Sequence, residues 1–423
     1  MPSIVEILES RGFLNDCTDA EGLKALAAKE RLSVYCGFDP TADSLHIGNM
    51  VAIMGLKHFQ LAGHRPLVLM GGATGMIGDP SGKSAERNLQ TNEQVRANLA
   101  AQRPQFGRFL SFEGENAAKI VNNYDWFQSI SFIDFLRDAG KSFRIGEMLG
   151  KESVRARLNS EAGLSYTEFS YMLLQAYDFS HLFEAEGCKV QCGGADQWGN
   201  ITAGMDLIRK TRGEQAYGIT FPLLTTATGQ KLGKTEKGAV WLDAAKTSPF
   251  DFYQYWVRCE DADVERFLKM FTLLDLERID AIVAEHRAAP ESRSGQRQLA
   301  WEVTCMVHGE AEAAKARAAS EALYGGGLQN LSDDELAQLF PNVPSVTIEM
   351  PEDGAPVADV LVQAGLTPSK KEARKLLQQG GLYLNNVQVE PERRVFTKAD
   401  LASDTMLVLR AGKKRYCLVK IAG

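Results

Sequence analysis

The sequence predicts an α/β protein in which a parallel sheet covered by helices comes first and smaller modules follow. Up to about residue 225, short apolar runs alternate with segments of helical periodicity, which is typical of a parallel sheet with helices on its faces. From 248 to 322 the pattern is helical with almost no strand signals. From 355 to 423 short helical and strand-like segments return.

Four apolar runs predict the strands of the sheet, at residues 34–38, 66–70, 188–192 and 219–224. Segments near 47–62, 91–110 and 196–211 have the apolar spacing of helices. Ligands of open parallel sheets bind beyond the carboxyl ends of the strands. We therefore expect the functional residues where these runs end.

The last module is basic, although the whole chain is acidic. Residues 355–423 contain 12 Lys and Arg against 6 Asp and Glu, a net charge of +6. Since the whole chain has a net charge of −7, residues 1–354 have a net charge of −13. A predicted helix at 369–379 has an apolar stripe on one face and basic residues on the other: Lys370, Lys371, Arg374 and Lys375. A second basic run follows near the end: Lys413, Lys414 and Arg415. This asymmetry favours binding of a polyanion.

The stretch from Tyr35 to Asn49 has the character of a nucleotide site. A strand ends at Asp39 and Pro40, and a helix begins near Ile47, so the turn points at a helix N-terminus, where phosphate binds favourably. His46 and Asn49 are three residues apart and share a face of the first turn. Gly48 lets a flat base approach the backbone. A glycine-punctuated loop at 229–235 adds two lysines that can reach phosphate oxygens.

These runs, HIGN at 46–49 and KLGKT at 231–235, resemble the two signatures of class I aminoacyl-tRNA synthetases. Four longer stretches are similar to the bacterial tyrosyl-tRNA synthetase family, at 71–87, 171–179, 193–201 and 231–243. The last module, with its KKEARKLLQQGGLYLNN pattern, resembles the small RNA-binding domain named after ribosomal protein S-four. The resemblance covers nearly the whole chain.

The resemblance implies a division into four parts. Residues 1–247 would form a Rossmann-like nucleotide-binding catalytic domain, with an inserted connective segment at about 112–165. Residues 248–325 would form an α-helical anticodon-side domain, and 326–354 a linker, which Gly325 to Gly327 and several following prolines also indicate. Residues 355–423 would form the S-four-like RNA-binding domain.

The implied activity is that of a tyrosine–tRNA ligase, which makes tyrosyl-AMP from L-tyrosine and ATP, releases diphosphate, and transfers tyrosine to the 3′ end of tRNA(Tyr). The attacking carboxylate is already ionised at pH 7, so positioning and charge stabilisation suffice without a general base. The resemblance also implies Mg²⁺ on the ATP phosphates, no structural metal on the protein, and a homodimer. The absence of a long apolar run or a signal-like N-terminus predicts a cytoplasmic protein with no membrane partner.

The resemblance assigns a role to each matching residue. The catalytic residues would be His46, Asn49, Lys231, Lys234 and Thr235. The ATP-binding residues would be Asp39, Thr41, Gly48, Gly193, Asp196 and again Lys234. The tyrosine-binding residues would be Tyr35, Asp79, Tyr171, Gln175, Asp178 and Gln197. The RNA-binding residues would be the seven basic residues of the last module named above. Asp196 also has the character of an N-cap for the next predicted helix.

Two other functions stay open. A tryptophan-specific enzyme is the nearest enzymatic alternative, although Tyr35 and Asp178 form a polar pair suited to a phenol. A non-catalytic RNA-binding relative would keep the fold and the basic tail, although His46 and the loop lysines are intact. P-loop NTPases are excluded, because the glycine that precedes each Gly-Lys-Ser/Thr sequence is displaced by one residue. The seven scattered cysteines do not form a disulfide framework.

Overall fold

The computed structural model describes residues 2–422, except for 82–89, 160–162, 230, 236–237, 325–327, 329–331, 341–342 and 413–414. The side chains of 153, 234–235, 322–324, 335 and 338–339 are likewise outside the description. The chain divides into two compact units, one of residues 1–248 and 255–308, the other of residues 249–254 and 309–423.

The first unit is built on a six-stranded sheet. Its strands are β1 (Asp16–Cys17), β2 (Ser33–Phe38), β3 (Arg65–Met70), β4 (Lys119–Asn122), β5 (Cys188–Gly194) and β6 (Tyr217–Phe221). Their order across the sheet is β1-β6-β5-β2-β3-β4, and every pair is parallel except β1 with β6. The predicted α/β fold and its four strands are confirmed. The short edge strands β1 and β4 are not predicted, since neither has an apolar run.

Helices cover this sheet. They are α1 (Ile4–Ser10), α2 (Ala20–Ala27), α3 (Ile47–Leu61), α4 (Asn92–Gln102), α5 (Tyr124–Phe127), α6 (Phe132–Asp138), α7 (Ile145–Leu149), α8 (Glu152–Leu158), α9 (Tyr166–Glu186) and α10 (Trp198–Arg212). α3 buries Ile47, Met50 and Ile53 completely, as its apolar spacing predicts. The N-cap of α10 is Gln197, whereas Asp196 lies in the preceding 3-10 turn, so the N-cap prediction for Asp196 is wrong.

The rest of the first unit is a short hairpin followed by helices. The hairpin strands are β7 (Lys234–Thr235) and β8 (Gly238–Ala239). The helices that follow are α11 (Pro249–Val257), which the division into units crosses, α12 (Asp261–Phe271), α13 (Leu276–Ala288) and α14 (Ser294–His308). Phe267, Phe271, Ile279 and Val303 are fully buried among these helices, which accounts for the helical periodicity seen in the sequence.

The second unit contains a five-stranded sheet of order β12-β11-β14-β15-β9 and a separate pair, β10 with β13. Its elements are α15 (Glu310–Tyr324), α16 (Asp333–Leu339), β9 (Ser345–Ile348), β10 (Ala355–Pro356), α17 (Val357–Gln363), α18 (Lys370–Gln378), β11 (Leu382–Leu384), β12 (Val387–Gln388), β13 (Val395–Phe396), β14 (Met406–Ala411) and β15 (Arg415–Ile421). Asn385 and Asn386 form the turn between β11 and β12, both with positive φ, which asparagine adopts more readily than most residues.

Part of the segment expected as a linker is structured. α16 packs Leu336 into a cluster with Val408 and Leu418, and β9 pairs in parallel with β15. Ile348 belongs to the core on the other face of this sheet, with Leu361 and Leu377. The sequence did not predict β9, because a strand of four residues gives little apolar alternation and is surrounded by prolines and glycines that are typical of loops. Among the described helices, none has the length and apolar character needed to cross a bilayer.

Candidate active site

Three motif-bearing turns meet at one edge of the first sheet. Asp39 follows β2, Gly71 follows β3, and Gly194 is the last residue of β5. These three strands are adjacent and parallel, with β2 in the middle. Their carboxyl ends therefore lie side by side and form one site. Its buried end comprises Tyr35, Asn123, Trp126 and Asp178, and its loop end comprises His46, Asn49 and the 229–235 loop.

The buried end contains polar groups that have no hydrogen-bond partner among the residues described. Tyr35 is 1% exposed, and its hydroxyl has no hydrogen bond among the described residues. Burial, and then the Asp178 carboxyl, raise the pKa of Tyr35 well above its usual value, so the phenol stays neutral. Gln191, beside Tyr35 in the register of β2 and β5, has a buried side-chain oxygen that is also unpartnered in this part of the chain. Buried polar groups are nearly always paired, so these indicate room for a polar ligand group.

Asp178 is held in one orientation by two donors. Its carboxyl, on α9, is 1% exposed and accepts hydrogen bonds from Asn123 Nδ2 at 3.1 Å and Trp126 Nε1 at 2.9 Å. Burial raises the pKa of Asp178 well above its usual value, while the two donors oppose that rise. A carboxyl group has more lone pairs than these two bonds use, so it can accept a further hydrogen bond from a ligand.

Asn123 and Trp126 are not predicted from the sequence. Trp126 belongs to α5, a helix of four residues with no periodicity, and lies 52 residues before Asp178. Its ring stacks on His181 at a centroid distance of 4.4 Å, which fixes the indole N–H toward the carboxyl. Only the placement of this segment directly after an edge strand could have drawn attention to it.

Two carboxylates lie beside Tyr171. The Tyr171 hydroxyl donates to Asp39 Oδ2 at 2.9 Å, and Thr74 Oγ1 donates to Asp39 Oδ1 at 2.8 Å. Burial, and then Asp39 and Asp79, raise the pKa of Tyr171 well above its usual value. Asp79 Oδ2 accepts from Gln197 Nε2 at 2.7 Å. This concentration of acceptors favours a cationic ligand group.

Gln175 is half-buried on the same helix as Tyr171 and Asp178, at spacings of four and three residues. Its side chain has no hydrogen-bond partner among the residues described. The three side chains therefore share one face of α9, as the sequence predicts, and Gln175 retains its full hydrogen-bonding capacity for a ligand.

The loop end begins at the N-terminus of α3. Asn49 Oδ1 accepts from the His46 N–H at 3.0 Å, so the asparagine caps the helix through its oxygen. Its amide nitrogen can still donate to an anion. A Cβ at Gly48 would lie 2.8 Å from His46 Cε1, so any side chain there would displace the imidazole. The bare first turn thus presents donors and an open surface.

The 229–235 loop packs directly on this turn. Gly233 has a φ of +75°, and a Cβ there would lie 3.3 Å from the Gly48 nitrogen. Its N–H donates to Tyr255 Oη at 2.9 Å, and Leu232 beside it is buried. The Ile47 N–H donates to the Val240 carbonyl at 3.0 Å. The two signature runs are therefore neighbours in space. Lys231 is exposed, and the side chains of Lys234 and Thr235 lie outside the described part.

The other predicted ATP-binding residues lie along the same edge. Thr41 is exposed in the turn after β2, where its N–H donates to the Asp39 carbonyl at 2.9 Å. Gly193 is buried near the end of β5, and a Cβ there would lie 3.1 Å from Gln197 Cβ. Asp196 is half-buried in the 3-10 turn that follows. No cluster of three or more metal-ligating side chains occurs in the part of the chain that is described.

The basic residues of the second unit divide by position. α18 buries Ala373 and Leu377 and exposes Lys371, Arg374 and Lys375. Lys370 is also exposed and pairs with Asp359 at 2.6 Å. Arg415 is exposed and donates to the Leu366 carbonyl at 3.1 Å. Lys413 and Lys414 lie outside the described residues.

Two family models match the chain. One, for tRNA synthetases class I (W and Y), matches residues 27–325, and one for a tyrosine–tRNA ligase SYY-like C-terminal domain matches 335–419. The tyrosine–tRNA ligase of Bacillus caldotenax is 52% identical over 98% of this chain and 99% of its own. The tyrosine–tRNA ligase of Opitutus terrae is 51% identical over 99% of this chain and 100% of its own.

Solved structures are similar as well. A C-terminally truncated Aspergillus nidulans mitochondrial tyrosyl-tRNA synthetase is 34% identical, with a TM-score of 0.70 over 77% of this chain and 95% of that one. The tyrosyl-tRNA synthetase of Archaeoglobus fulgidus complexed with L-tyrosine has a TM-score of 0.55 over 74% of this chain and all of that one; at 16% identity it shows a shared fold.

Proposed function

Because this chain belongs to the tyrosine–tRNA ligases, within the class I tRNA synthetases (W and Y), we propose that the site described above is where it makes tyrosyl-AMP. The enzyme activates L-tyrosine with ATP, releases diphosphate and transfers tyrosine to the 3′ end of tRNA(Tyr). The observation that carries the placement is the unpartnered, buried Tyr35 hydroxyl beside Asp178.

Selectivity arises at the buried end. The phenolic hydroxyl of tyrosine donates to Asp178 and pairs with Tyr35, which fills the hydrogen bonds left open there. Phenylalanine would leave the same buried groups without a partner, which costs the full desolvation penalty. Rejection of phenylalanine by tyrosine-specific enzymes is the established example of this effect. Tryptophan would bring a larger ring and no hydroxyl to the same position.

The substrate ammonium group lies among Asp79, Tyr171, Gln175 and Gln197. The carboxylate charges of Asp39 and Asp79 favour a cation there. This fixes the amino acid at both ends, so that its carboxylate points toward the loop end. Holding a nucleophile in a reactive orientation supplies much of a rate enhancement of this kind.

Adenylate formation is an in-line attack of the tyrosine carboxylate on the α-phosphate of ATP, with diphosphate leaving. His46 and Asn49 donate to the transferring phosphate, and Lys231, Lys234 and Thr235 neutralise the departing diphosphate. Asp39, Thr41, Gly48, Gly193 and Asp196 form the nucleotide shell. Mg²⁺ would bind the ATP phosphates and reduce their charge, supplied with the nucleotide and not by a protein cluster.

The second unit binds tRNA through the exposed face of α18. Lys370, Lys371, Arg374, Lys375 and Arg415 are the described members of this basic surface, and Lys413 and Lys414 would extend it. Each phosphate contact steepens the salt dependence of binding.

Replacing Arg374 and Lys375 with Glu should weaken tRNA charging and flatten its salt dependence, with pyrophosphate exchange unchanged. Equal loss of both activities would contradict a separate tRNA-binding surface.

The enzyme works as a homodimer in the cytoplasm, with catalytic, helical and S-four-like parts at the bounds given above and with α16 and β9 in the segment that joins the last two. Seven of the thirteen large apolar side chains exposed among the described residues fall between 132 and 166: Phe132, Ile133, Leu136, Ile145, Leu149, Leu158 and Tyr166. A segment that exposes this many large apolar side chains favours an interface with a second copy of the chain. Sedimentation equilibrium should give twice the 46.5 kDa of one chain. A mass of one chain at micromolar concentration would contradict the dimer.

The experiment that tests the function is pyrophosphate exchange into ATP, run with each amino acid separately. Exchange supported by tyrosine alone is the expected result. Exchange with tryptophan would overturn the assignment of the buried end. If the folded protein catalyses no pyrophosphate exchange with any of the amino acids, a non-catalytic RNA-binding role would be favoured.

A further inference from the structure

A row of carboxamide side chains grips the loop between β2 and α3. Asn98 Nδ2 donates to the Pro40 carbonyl at 2.8 Å, and Gln102 Nε2 donates to the Ala42 carbonyl at 2.7 Å. Gln105 Oε1 accepts from the Leu45 N–H at 3.1 Å and from Ser44 Oγ at 3.3 Å. Gln90 Nε2 adds a bond to the Thr41 carbonyl at 3.2 Å. We call Gln90, Asn98, Gln102 and Gln105 the amide ladder.

The ladder is a built feature of the fold. Asn98, Gln102 and Gln105 are spaced four and three residues apart along α4 and the 3-10 turn that continues it, so they share one face. They are 1%, 3% and 6% exposed. Burying a polar side chain is unfavourable unless it is paired. Three buried carboxamides directed at one loop therefore indicate that the position of this loop matters.

The gripped loop carries nucleotide-binding residues at both ends. Asp39 precedes the first contact with the ladder, Thr41 lies within the gripped segment, and His46 follows the last contact by one residue. The loop lies outside the strand and helix ladders, so few regular backbone bonds hold it. Its carbonyls at 40, 41 and 42 are instead bonded by the amide ladder.

The ladder also connects to the segment after the 229–235 loop. Ser44 Oγ, which contacts Gln105, accepts from the Asp243 N–H at 3.2 Å. The Leu242 N–H donates to the Leu45 carbonyl at 2.9 Å. A shift of Gln105 would therefore move both sides of the turn that presents His46.

We propose that Gln90, Asn98, Gln102 and Gln105 are positioning residues for ATP: they fix the backbone from Asp39 to His46 and thereby the phosphate donors. The inference rests on the proposed function of this loop. None of the four touches the reacting atoms. Misplacing a donor by a fraction of an ångström weakens stabilisation of the transition state, so loosening the ladder should reduce adenylate formation.

Gln60 provides a matched control. It too is a buried carboxamide that binds loop backbone: its Nε2 donates to the Ser111 carbonyl at 2.7 Å, and its Oε1 accepts from the Ser111 N–H at 2.9 Å. It lies on α3 near the end opposite His46. At about 1.5 Å per residue this is roughly 21 Å along the helix. Gln60→Met should therefore destabilise the fold without changing kcat/KM for ATP.

The experiment compares Gln102→Met, Gln105→Met and Gln60→Met by pyrophosphate exchange, by tyrosine binding without ATP, and by thermal unfolding. In the two ladder variants, kcat/KM for ATP should fall roughly tenfold, the effect of about one lost hydrogen bond, while the tyrosine Kd changes less than twofold. All three variants should lower the unfolding temperature by similar amounts. Gln60→Met, however, should leave kcat/KM for ATP within twofold. Gln90→Ala, which removes a half-buried contact and spares the core, should give a smaller loss in the same direction.

Unchanged ATP kinetics in folded ladder variants would overturn the inference, and so would an equal effect of Gln60→Met. Parallel changes in the tyrosine and ATP parameters would also overturn it, because they would indicate general loosening. An unmodified enzyme without tyrosine-dependent exchange would refute the proposed function instead, so the two failures are distinguishable.

Discussion

The two ends of the proposed active site are built by different means. At the buried end, Tyr35 and Asp178 come from a strand and a long helix, and side chains hold side chains. At the loop end, single side chains bind backbone N–H groups of turns: Asn49 accepts from His46, Gln105 from Leu45, and the Tyr255 hydroxyl from Gly233. The first arrangement is buried and hydrogen-bonded between side chains of regular elements, whereas the second depends on contacts between several loop segments.

This difference teaches how the two tasks of the enzyme separate. Choosing tyrosine requires fixed polar groups that become costly when left unpaired, which in the proposed site Tyr35 and Asp178 would supply. Transferring the adenylyl group requires donors placed where charge develops, which in the proposed site the half-buried start of α3 and a glycine loop would supply. Substitutions at one end should therefore change different kinetic parameters from substitutions at the other.

The largest effect should come from Asp178→Ala. This variant leaves the Asn123 amide and the Trp126 indole without an acceptor and removes the acceptor for the substrate hydroxyl. Each buried donor left without an acceptor costs about 1–3 kcal/mol, and the substrate hydroxyl of the proposed complex loses its acceptor too, so kcat/KM for tyrosine should fall roughly 10³-fold, measured by pyrophosphate exchange. Discrimination against phenylalanine should be lost as well.

Asp206→Ala is the control for loss of a carboxylate, because that side chain is 49% exposed and its ion pair among the described residues is with Arg209 in α10. It should leave exchange unchanged. If Asp178→Ala kept its preference for tyrosine over phenylalanine, the buried end would not be the selective element.

His46→Ala should follow in size and act on the other parameter. Removing one preorganised donor to a transferring group typically reduces kcat by about 10²-fold. Binding of tyrosine alone, measured by equilibrium dialysis, should stay within twofold of normal. Lys57→Ala, farther along the same helix, serves as the control. A raised tyrosine Kd in His46→Ala would show that the two ends are not separate.

Trp126→Phe should have the smallest effect of the three and should sharpen the account of the buried end. Phenylalanine keeps a ring against His181 but removes the N–H that bonds Asp178. Loss of one hydrogen bond, about 1 kcal/mol, corresponds to at most roughly tenfold in kcat/KM for tyrosine.

Tyr177→Phe removes a hydroxyl from the same aromatic cluster while leaving both donors to Asp178 in place. It should change nothing in tyrosine kinetics. Equal effects of Trp126→Phe and Tyr177→Phe would mean that Trp126 acts only by packing.

The sequence could predict those parts of the molecule that local patterns encode. The strand before Asp39, the helix after His46, the face shared by Tyr171, Gln175 and Asp178, and the Asn385 turn each leave a signature within a few residues. Asn123, Trp126 and the amide ladder do not, because their partners are tens of residues away and single polar residues carry no periodicity. β9 is hard to predict for a related reason, since its partner strand β15 is about 70 residues away in the sequence.

The most direct test of the two-ended site is a crystal structure with L-tyrosine and a non-hydrolysable ATP analogue. We expect the phenolic oxygen within hydrogen-bonding distance of both Tyr35 Oη and Asp178, and the phosphates against the first turn of α3 at His46 and Asn49. Tyrosine bound away from Asp178, or phosphates away from that turn, would contradict the account.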